Sequence, residues 1–312
     1  MELSICIPIY QCDVKTLVSQ LIKQAKAQLL DYEICLIDDD SNEQIKSKNR
    51  ELLSWNAPIR LTELDQNVGR SKIRNKLAEM ATGKYLLFLD CDVLVDNQSF
   101  IRNYVEYAHE NYQSFTEGVF LYGGYKYKHT IAERQGKELR YYYGKYIEEA
   151  TLNELDEVIE MPFLGGNFFV ESRVFNTIKF DETITKYGYE DLLFHMDFQS
   201  LSENPKDIAI HNPVTIKQID KNEEYLLKTR QAMENLAELY ANNRIIIENH
   251  LRILMAHQQL KNKGLIGVFR KTAPRFLPLL IYNLTSSKPN LKLFQFYKLI
   301  HFVQALEDNK SD

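Results

Sequence analysis

The sequence holds little of what builds cross-linked or metal-stapled folds. Four cysteines in 312 residues, Cys6, Cys12, Cys35 and Cys91, form no CxxC pair and have no histidine cluster beside them, which argues against a zinc site. Cys6, Cys35 and Cys91 stand in or beside strand-like runs, so they read as small buried apolar residues in a reducing compartment. No low-complexity tract or internal repeat occurs. No apolar run reaches the ~18–20 residues that span a bilayer. The start, Met1-Glu2-Leu3-Ser4, lacks a basic leader, and a cytoplasmic protein is expected. A net charge of -5 gives no reason to expect nucleic acid as a partner. No GxGxxG follows the first strand-like run, which removes the usual dinucleotide dehydrogenase.

What is present is an α/β pattern. Ser4–Tyr10, Tyr32–Ile37, Pro58–Leu64 and Lys84–Leu89 read as strands. Between them lie a helix carrying Val14, Leu17, Val18, Leu21 and Ile22 on one face, a charged helix over 43–53, and a helix from Asn67 that Gly83 would end. Alternating strand and helix predicts a mostly parallel sheet covered on both faces, with ligands off the carboxyl ends of its strands. Phe120–Tyr127 reads as a further strand, 133–157 as a charged helix, and Tyr225–Leu260 as nearly continuous helix.

Acidic clusters end the strands. Asp90-Cys91-Asp92 follows Tyr85-Leu86-Leu87-Phe88-Leu89, and two adjacent carboxylates at a sheet's mouth call for a cation or hydrogen-bond donors. A solvated turn is the plain alternative. Asp38-Asp39-Asp40-Ser41 ends another strand; Asp39 suits a base or ribose, while Asp40 or Ser41 serves equally as a helix cap. Asn67-Val68-Gly69-Arg70-Ser71-Lys72-Ile73-Arg74 opens a helix where an anion is favoured; Arg74 suits a phosphate, and Lys72 a solvated face. Glu190-Asp191 starts a later helix, where acidic residues also favour the helix dipole.

In order and spacing, IPIY, DDDS, NVGRSKIRN, GKYLLFLDCDVLVD, GGNFF and GYEDLLF resemble the GT-A glycosyltransferases of family 2, over roughly residues 3–215. The resemblance implies a Rossmann-like GT-A catalytic domain over 1–220, with a nucleotide-binding half (1–96) and an acceptor half (97–220); beyond it the residue pattern is helical from about Lys221 and predicts a helical extension over 221–312. The resemblance also implies an inverting transfer from a nucleoside-diphosphate sugar, by default a UDP-sugar, to a hydroxyl of a glycan or lipid-linked acceptor in polysaccharide biosynthesis, with Mn2+ or Mg2+ as cofactor. Carried over by motif, Pro8, Ile9 and Tyr10 would line the base and Asp39 would bind it. Arg74 would sit near ribose or phosphate, Asp90 near ribose or metal, and Asp92 on the metal. Gly165, Gly166 and Asn167 would shape the donor side. Asp191 would be the catalytic base, and Glu190 would bind a sugar hydroxyl. Many relatives place a histidine just after an Asn-Pro step to complete the metal shell. Here that step leads to Ile216, which leaves His211 as the candidate ligand.

Two rival readings carry less. Phe88-Leu89-Asp90-Cys91-Asp92 also mimics the haloacid-dehalogenase phosphatase motif, with Asp90 as nucleophile, although three strand-like segments precede it. A non-catalytic sugar-nucleotide-binding protein would not need both acidic pairs. Lastly, Lys261 to Leu306 carries eight Lys or Arg, no Asp or Glu, and many aromatics. It reads either as a peripheral contact with anionic lipid at the inner face of the cell membrane or as helices packed on the catalytic domain or a second subunit.

Overall fold

The computed structural model describes residues 1–149, 163–203, 205–245 and 251–311. The chain divides into two compact units. The first comprises Met1–Lys128, Glu148–Thr185 and Glu190–Gln218. It opens with β1 (Leu3–Ile9), α1 (Lys15–Ala27), β2 (Tyr32–Asp38), α2 (Glu43–Arg50), β3 (Ile59–Glu63), α3 (Arg70–Met80) and β4 (Tyr85–Leu89). β3, β2, β1 and β4 lie side by side in that order, all parallel. The uniform apolarity of β1, β2 and β4 follows from position: each is buried along nearly its whole length, and both of its faces need apolar cover. β3, at the edge, alternates between half-buried and exposed residues.

Two local expectations change. The cap of α2 is Asn42, whose side chain accepts from the Ile45 N–H (3.1 Å), and neither Asp40 nor Ser41 caps it. Ser41 instead accepts from the Gln11 N–H, and Asp40 turns the chain with φ at +66°. α3 ends at Met80, short of Gly83, which packs against Ser4.

The chain continues through β5 (Val93–Leu94), α4 (Phe100–Glu110), β6 (Phe120–Tyr122), β7 (Tyr125–Lys126), α5 (Glu138–Tyr143), β8 (Asn167–Glu171), α6 (Ser172–Ile178), α7 (Glu190–Gln199), β9 (Ile208–Ala209) and β10 (Val214–Ile216). The strand expected over Phe120–Tyr127 is two strands, broken at Gly123-Gly124. β8 extends the main sheet, antiparallel to both β4 and β6, and β9 closes it parallel to β6, giving seven strands among the described residues. β5, β10 and β7 form a small second sheet. The core is aromatic: Phe88, Phe120, Phe168, Phe175, Phe180, Phe194 and Phe198 are all buried in one cluster. Phe88 stacks on Phe168 at 4.8 Å and Phe180 on Phe194 at 4.2 Å between ring centres, the offset stacking such rings favour.

The second unit comprises His129–Ile147, Lys186–Tyr189 and Ile219–Asp312. It contains α5, α8 (Asn222–Ala241), α9 (Arg252–Asn262), α10 (Ile266–Thr272), α11 (Leu277–Leu284) and α12 (Leu291–Ser311). Its core joins Leu139 to Tyr225, Leu226, Leu280, Leu284, Phe294, Tyr297 and Ile300. Asn222, fully buried, accepts from the Leu139 N–H (2.9 Å) and donates to Glu138 (3.1 Å), tying the early segment to α8. The helix expected over 133–157 is a short α5 followed by one π turn, Gly144–Glu148, and the rest of that prediction lies outside the described residues. The helix expected over Tyr225–Leu260 is interrupted after Ala241, where Asn243 takes φ of +55°.

Candidate active site

The strand register brings the sequence motifs together. β4 runs antiparallel to β8 with Leu89 opposite Asn167, so Asp90 follows beside Gly166 and its N–H donates to the Gly166 carbonyl (3.0 Å). Gly165 donates its N–H to Asp191 Oδ2 at the start of α7 (3.1 Å). The packing at the two glycines leaves no room for a side chain. A Cβ on Gly165 would lie 2.3 Å from Asp191 Oδ1, and one on Gly166 would lie 2.2 Å from Asp90 Oδ2. Only glycine permits this approach.

Two arginines of α3 complete the cluster. Gly69, at φ +84°, turns the chain into α3 in a conformation that favours glycine. Arg70, the first residue of the helix, places its guanidinium 2.6 Å from Glu190 Oε1 and 3.9 Å from Asp90 Oδ2. Arg74, one turn later, is buried. It donates to Asp90 Oδ1 (2.9 Å), the Gly165 carbonyl (3.2 Å) and the Arg70 carbonyl (3.3 Å), and lies over the Phe180 ring. Tyr125, from β7, reaches Asp90 Oδ2 with its hydroxyl (3.5 Å).

Charge is unevenly neutralised here. Burial, then the neighbouring Glu190 carboxylate, pushes Asp191 up to about 6, while Arg74 and Arg70 oppose the shift. Asp191 Oδ1 and Glu190 Oε2 are buried with no hydrogen-bond partner, the mark of a site that awaits a donor from outside the chain. Burial, reinforced by Asp90 and Asp191, holds Tyr125 protonated well above its ordinary range, so it donates to the cluster.

Asp92 stands half-buried just before β5, and its carbonyl accepts from the Lys217 N–H (2.8 Å) next to β10. The Cys12 thiol donates to the Cys91 carbonyl (3.1 Å) and steadies the same turn. Ile216, opposite Val93 in this small sheet, is buried. Among the described residues no three His, Cys, Asp or Glu side chains gather as a metal site. The three-residue shell of Asp90, Asp92 and His211 is therefore not formed. His211 is exposed beside Asn212, whose own buried side chain is committed to the Phe100 carbonyl (2.9 Å). The oxygens present still fit a hard divalent ion in kind, since magnesium or manganese needs only one or two carboxylates beside substrate phosphates.

Several of the expected residues also have partners within the fold. The Asn167 side chain is consumed internally, donating to the Gly124 and Asn212 carbonyls (both 3.0 Å) and accepting from Tyr104 (2.8 Å). The Ile9 side chain is fully buried and offers no surface to a base, whereas Pro8 is half-buried and Tyr10 exposed. Asp39 accepts from the Val68 (2.7 Å) and Gly69 (3.2 Å) N–H groups, so its carboxylate ties the loop before α3. Arg74 faces Asp90 and Gly165 rather than standing free for a phosphate. Sequence reasoning counts Arg70 among the cations of this helix start but gives the phosphate contact to Arg74; the structure shows Arg70, the first helical residue after Gly69, as the one that bridges Glu190 and Asp90. Tyr125 gave no signal in the sequence.

Residues 4–175, more than half of the chain, match the sequence pattern of glycosyl transferase family 2. The chain belongs to that family. It is a glycosyltransferase, and the phosphatase alternative falls away. Solved structures agree on the fold. A mannosyltransferase from Pyrobaculum calidifontis, PcManGT, in complex with GDP-Man and Mn2+, superposes with a TM-score of 0.60 at 12% identity, covering 99% of this chain and 87% of that one. S. aureus TarS 1-349 in complex with UDP-GlcNAc gives 0.50 at 17% identity, covering 100% and 92%. Glucosyl-3-phosphoglycerate synthase from Mycobacterium tuberculosis, in complex with Mn2+, UDP and phosphoglyceric acid, gives 0.50 at 15% identity, covering 76% and 78%. No curated protein sequence matches the chain.

Proposed function

We propose that this glycosyltransferase moves a sugar from a nucleoside-diphosphate sugar, in the first instance a UDP-sugar, to an acceptor hydroxyl with inversion at the anomeric carbon. The observation that carries this reading is the joining of Asp191 to Asp90 through Gly165, Gly166 and Arg74, with Arg70 between Glu190 and Asp90. One carboxylate, raised to about 6, is poised to take a proton. The others, with the part-exposed guanidinium of Arg70, frame a place for an anionic leaving group.

Asp191 accepts the proton of the attacking hydroxyl as the new bond to the anomeric carbon forms and the bond to the leaving phosphate oxygen breaks. Glu190 holds a sugar hydroxyl and keeps Arg70 oriented. Arg70, part exposed, exchanges its carboxylate contacts for the departing diphosphate. Arg74 and Tyr125 hold Asp90 in position. Tyr10, with Pro8 beside it, lies at the end of β1, where a base would rest. Asp92, with Asp90 nearby, would hold manganese or magnesium together with the donor's phosphates, and the ion would neutralise charge that develops on the leaving oxygen. Complexes of the similar structures with GDP-Man or UDP-GlcNAc, and two of them with Mn2+, support this choice of donor class and cofactor. The setting proposed is cytoplasmic polysaccharide assembly on a glycan or lipid-linked acceptor. The four free thiols accord with that compartment.

The test is release of nucleoside diphosphate from a panel of nucleotide-sugars with manganese present, in the wild type and in Asp191→Asn. A donor is expected to be turned over by the wild type, and the variant should lose about 100-fold or more in kcat with donor affinity retained. Equal turnover by the variant would remove Asp191 from the role of base.

A further inference from the structure

We propose that α10, α11 and the turn between them form a docking face for an anionic lipid bilayer. α11, Leu-Pro-Leu-Leu-Ile-Tyr-Asn-Leu, contains no charged residue. One side supplies Leu280 and Leu284 to the core of the second unit. The opposite side presents Pro278, Leu279 and Tyr282 to solvent, with Leu279 67% and Tyr282 80% exposed. A helix that is apolar all round is ordinarily covered by protein or by lipid, and here half of it is covered by neither. Val268 from α10 and Phe276 from the turn add to the same run of exposed apolar side chains.

Charge identifies the partner. Lys263, Lys271 and Arg275 are exposed along this segment and carry no ion pair among the described residues. Arg270 is different, being held by Glu307 at 2.6 Å. In a chain of net charge -5, the whole stretch from Lys261 to Leu306 contains no Asp or Glu. A second copy suits this face poorly, because a two-fold contact sets the same patch against itself and would bring these cations together. An anionic bilayer offers both the opposite charge and an apolar layer beneath it. Lys271 and Arg275 would meet lipid headgroups, Tyr282 would sit at the interface that tyrosine favours, and Leu279 would enter the acyl boundary. No helix of the described residues is long and apolar enough to cross a membrane, so the contact is one of surface attachment.

The experiment uses the full chain and sedimentation with vesicles of phosphatidylglycerol and phosphatidylcholine in equal parts, against vesicles of phosphatidylcholine alone. Binding is expected only with the anionic vesicles and should weaken as salt rises. Each cation near such a surface strengthens binding about fivefold, so Lys271→Glu with Arg275→Glu should weaken it at least ~25-fold. Leu279→Ser with Tyr282→Ser should cost about tenfold or more through lost apolar burial. Both double variants change exposed side chains, so melting temperature and turnover of a soluble donor should stay as in the wild type. Failure of the wild type to pellet with anionic vesicles, equal pelleting with neutral ones, or undiminished binding by either variant would overturn the proposal. So would a dimer in light scattering that Leu279→Ser with Tyr282→Ser converts to monomer in a chain that ignores vesicles, which would assign the face to a second copy.

Discussion

Asp191 works against its surroundings. The residue is half-buried beside Glu190, with Oδ1 shut away from solvent, and burial first, then that neighbouring charge, makes the neutral form easier to keep. A base must be deprotonated to act. Activity should therefore fall as pH drops through about 6, tenfold per pH unit below it, in a profile of kcat/KM against pH. Glu190→Gln removes a charge that raises the group, so the acidic limb should move to lower pH in whatever activity remains. A limb unmoved by that change would mean another group titrates. Gly165 gives a second prediction at this scale. Its missing Cβ would stand 2.3 Å from Asp191 Oδ1, so Gly165→Ala must push the carboxylate aside. Displacement of a reacting group by about 1 Å can cost ~100-fold, and a loss of that order is expected with circular dichroism unchanged.

Among the elements, α3 does the most to assemble the site. Arg70 and Arg74 reach the carboxylates from one side, and Asn75 fastens the helix by bonding both the N–H and the carbonyl of buried Phe180 (2.9 Å each). Asn75→Ala strands both groups and should cost about 3 kcal/mol, read as a lower denaturation midpoint with an unchanged slope. Elements like α3 were largely legible in the sequence. Their apolar spacing and the acidic residues at strand ends mark a parallel sheet without knowledge of contacts. The roles of Asn167, Ile9 and Arg74 were not legible. Each stands at a motif position next to the site, yet its side chain turns inward to fill a hydrogen-bonding or packing need that arises only once β8, β1 and α3 are side by side. Tyr125 was invisible for the same reason: Gly123-Gly124 breaks an expected strand and swings the tyrosine onto Asp90.

At the level of the whole molecule, the helical pattern predicts an extension beginning near residue 221, but the second compact unit also recruits 129–147 and 186–189. Periodicity cannot reveal such recruitment, because Leu139 looks like any apolar helical residue until its partners, Tyr225, Leu280 and Phe294, are known. A chain cut after Gln218 should therefore not be a clean catalytic domain. It would retain Leu139 without its apolar partners and the Leu139 N–H without Asn222. Such a chain is expected to aggregate, or to elute as a broad peak in size-exclusion chromatography, whereas a sharp monomer with a cooperative melt would show that 129–147 can do without the later helices.

The same arrangement constrains birth on the ribosome. The segment around Leu139 is translated long before Phe294, and at ~5–20 residues per second the 155 residues between them take roughly 8–31 s. For that interval Leu139 has emerged without Leu280, Leu284 and Phe294, the partners that bury it in the finished fold, and the stretch is a natural client for a chaperone.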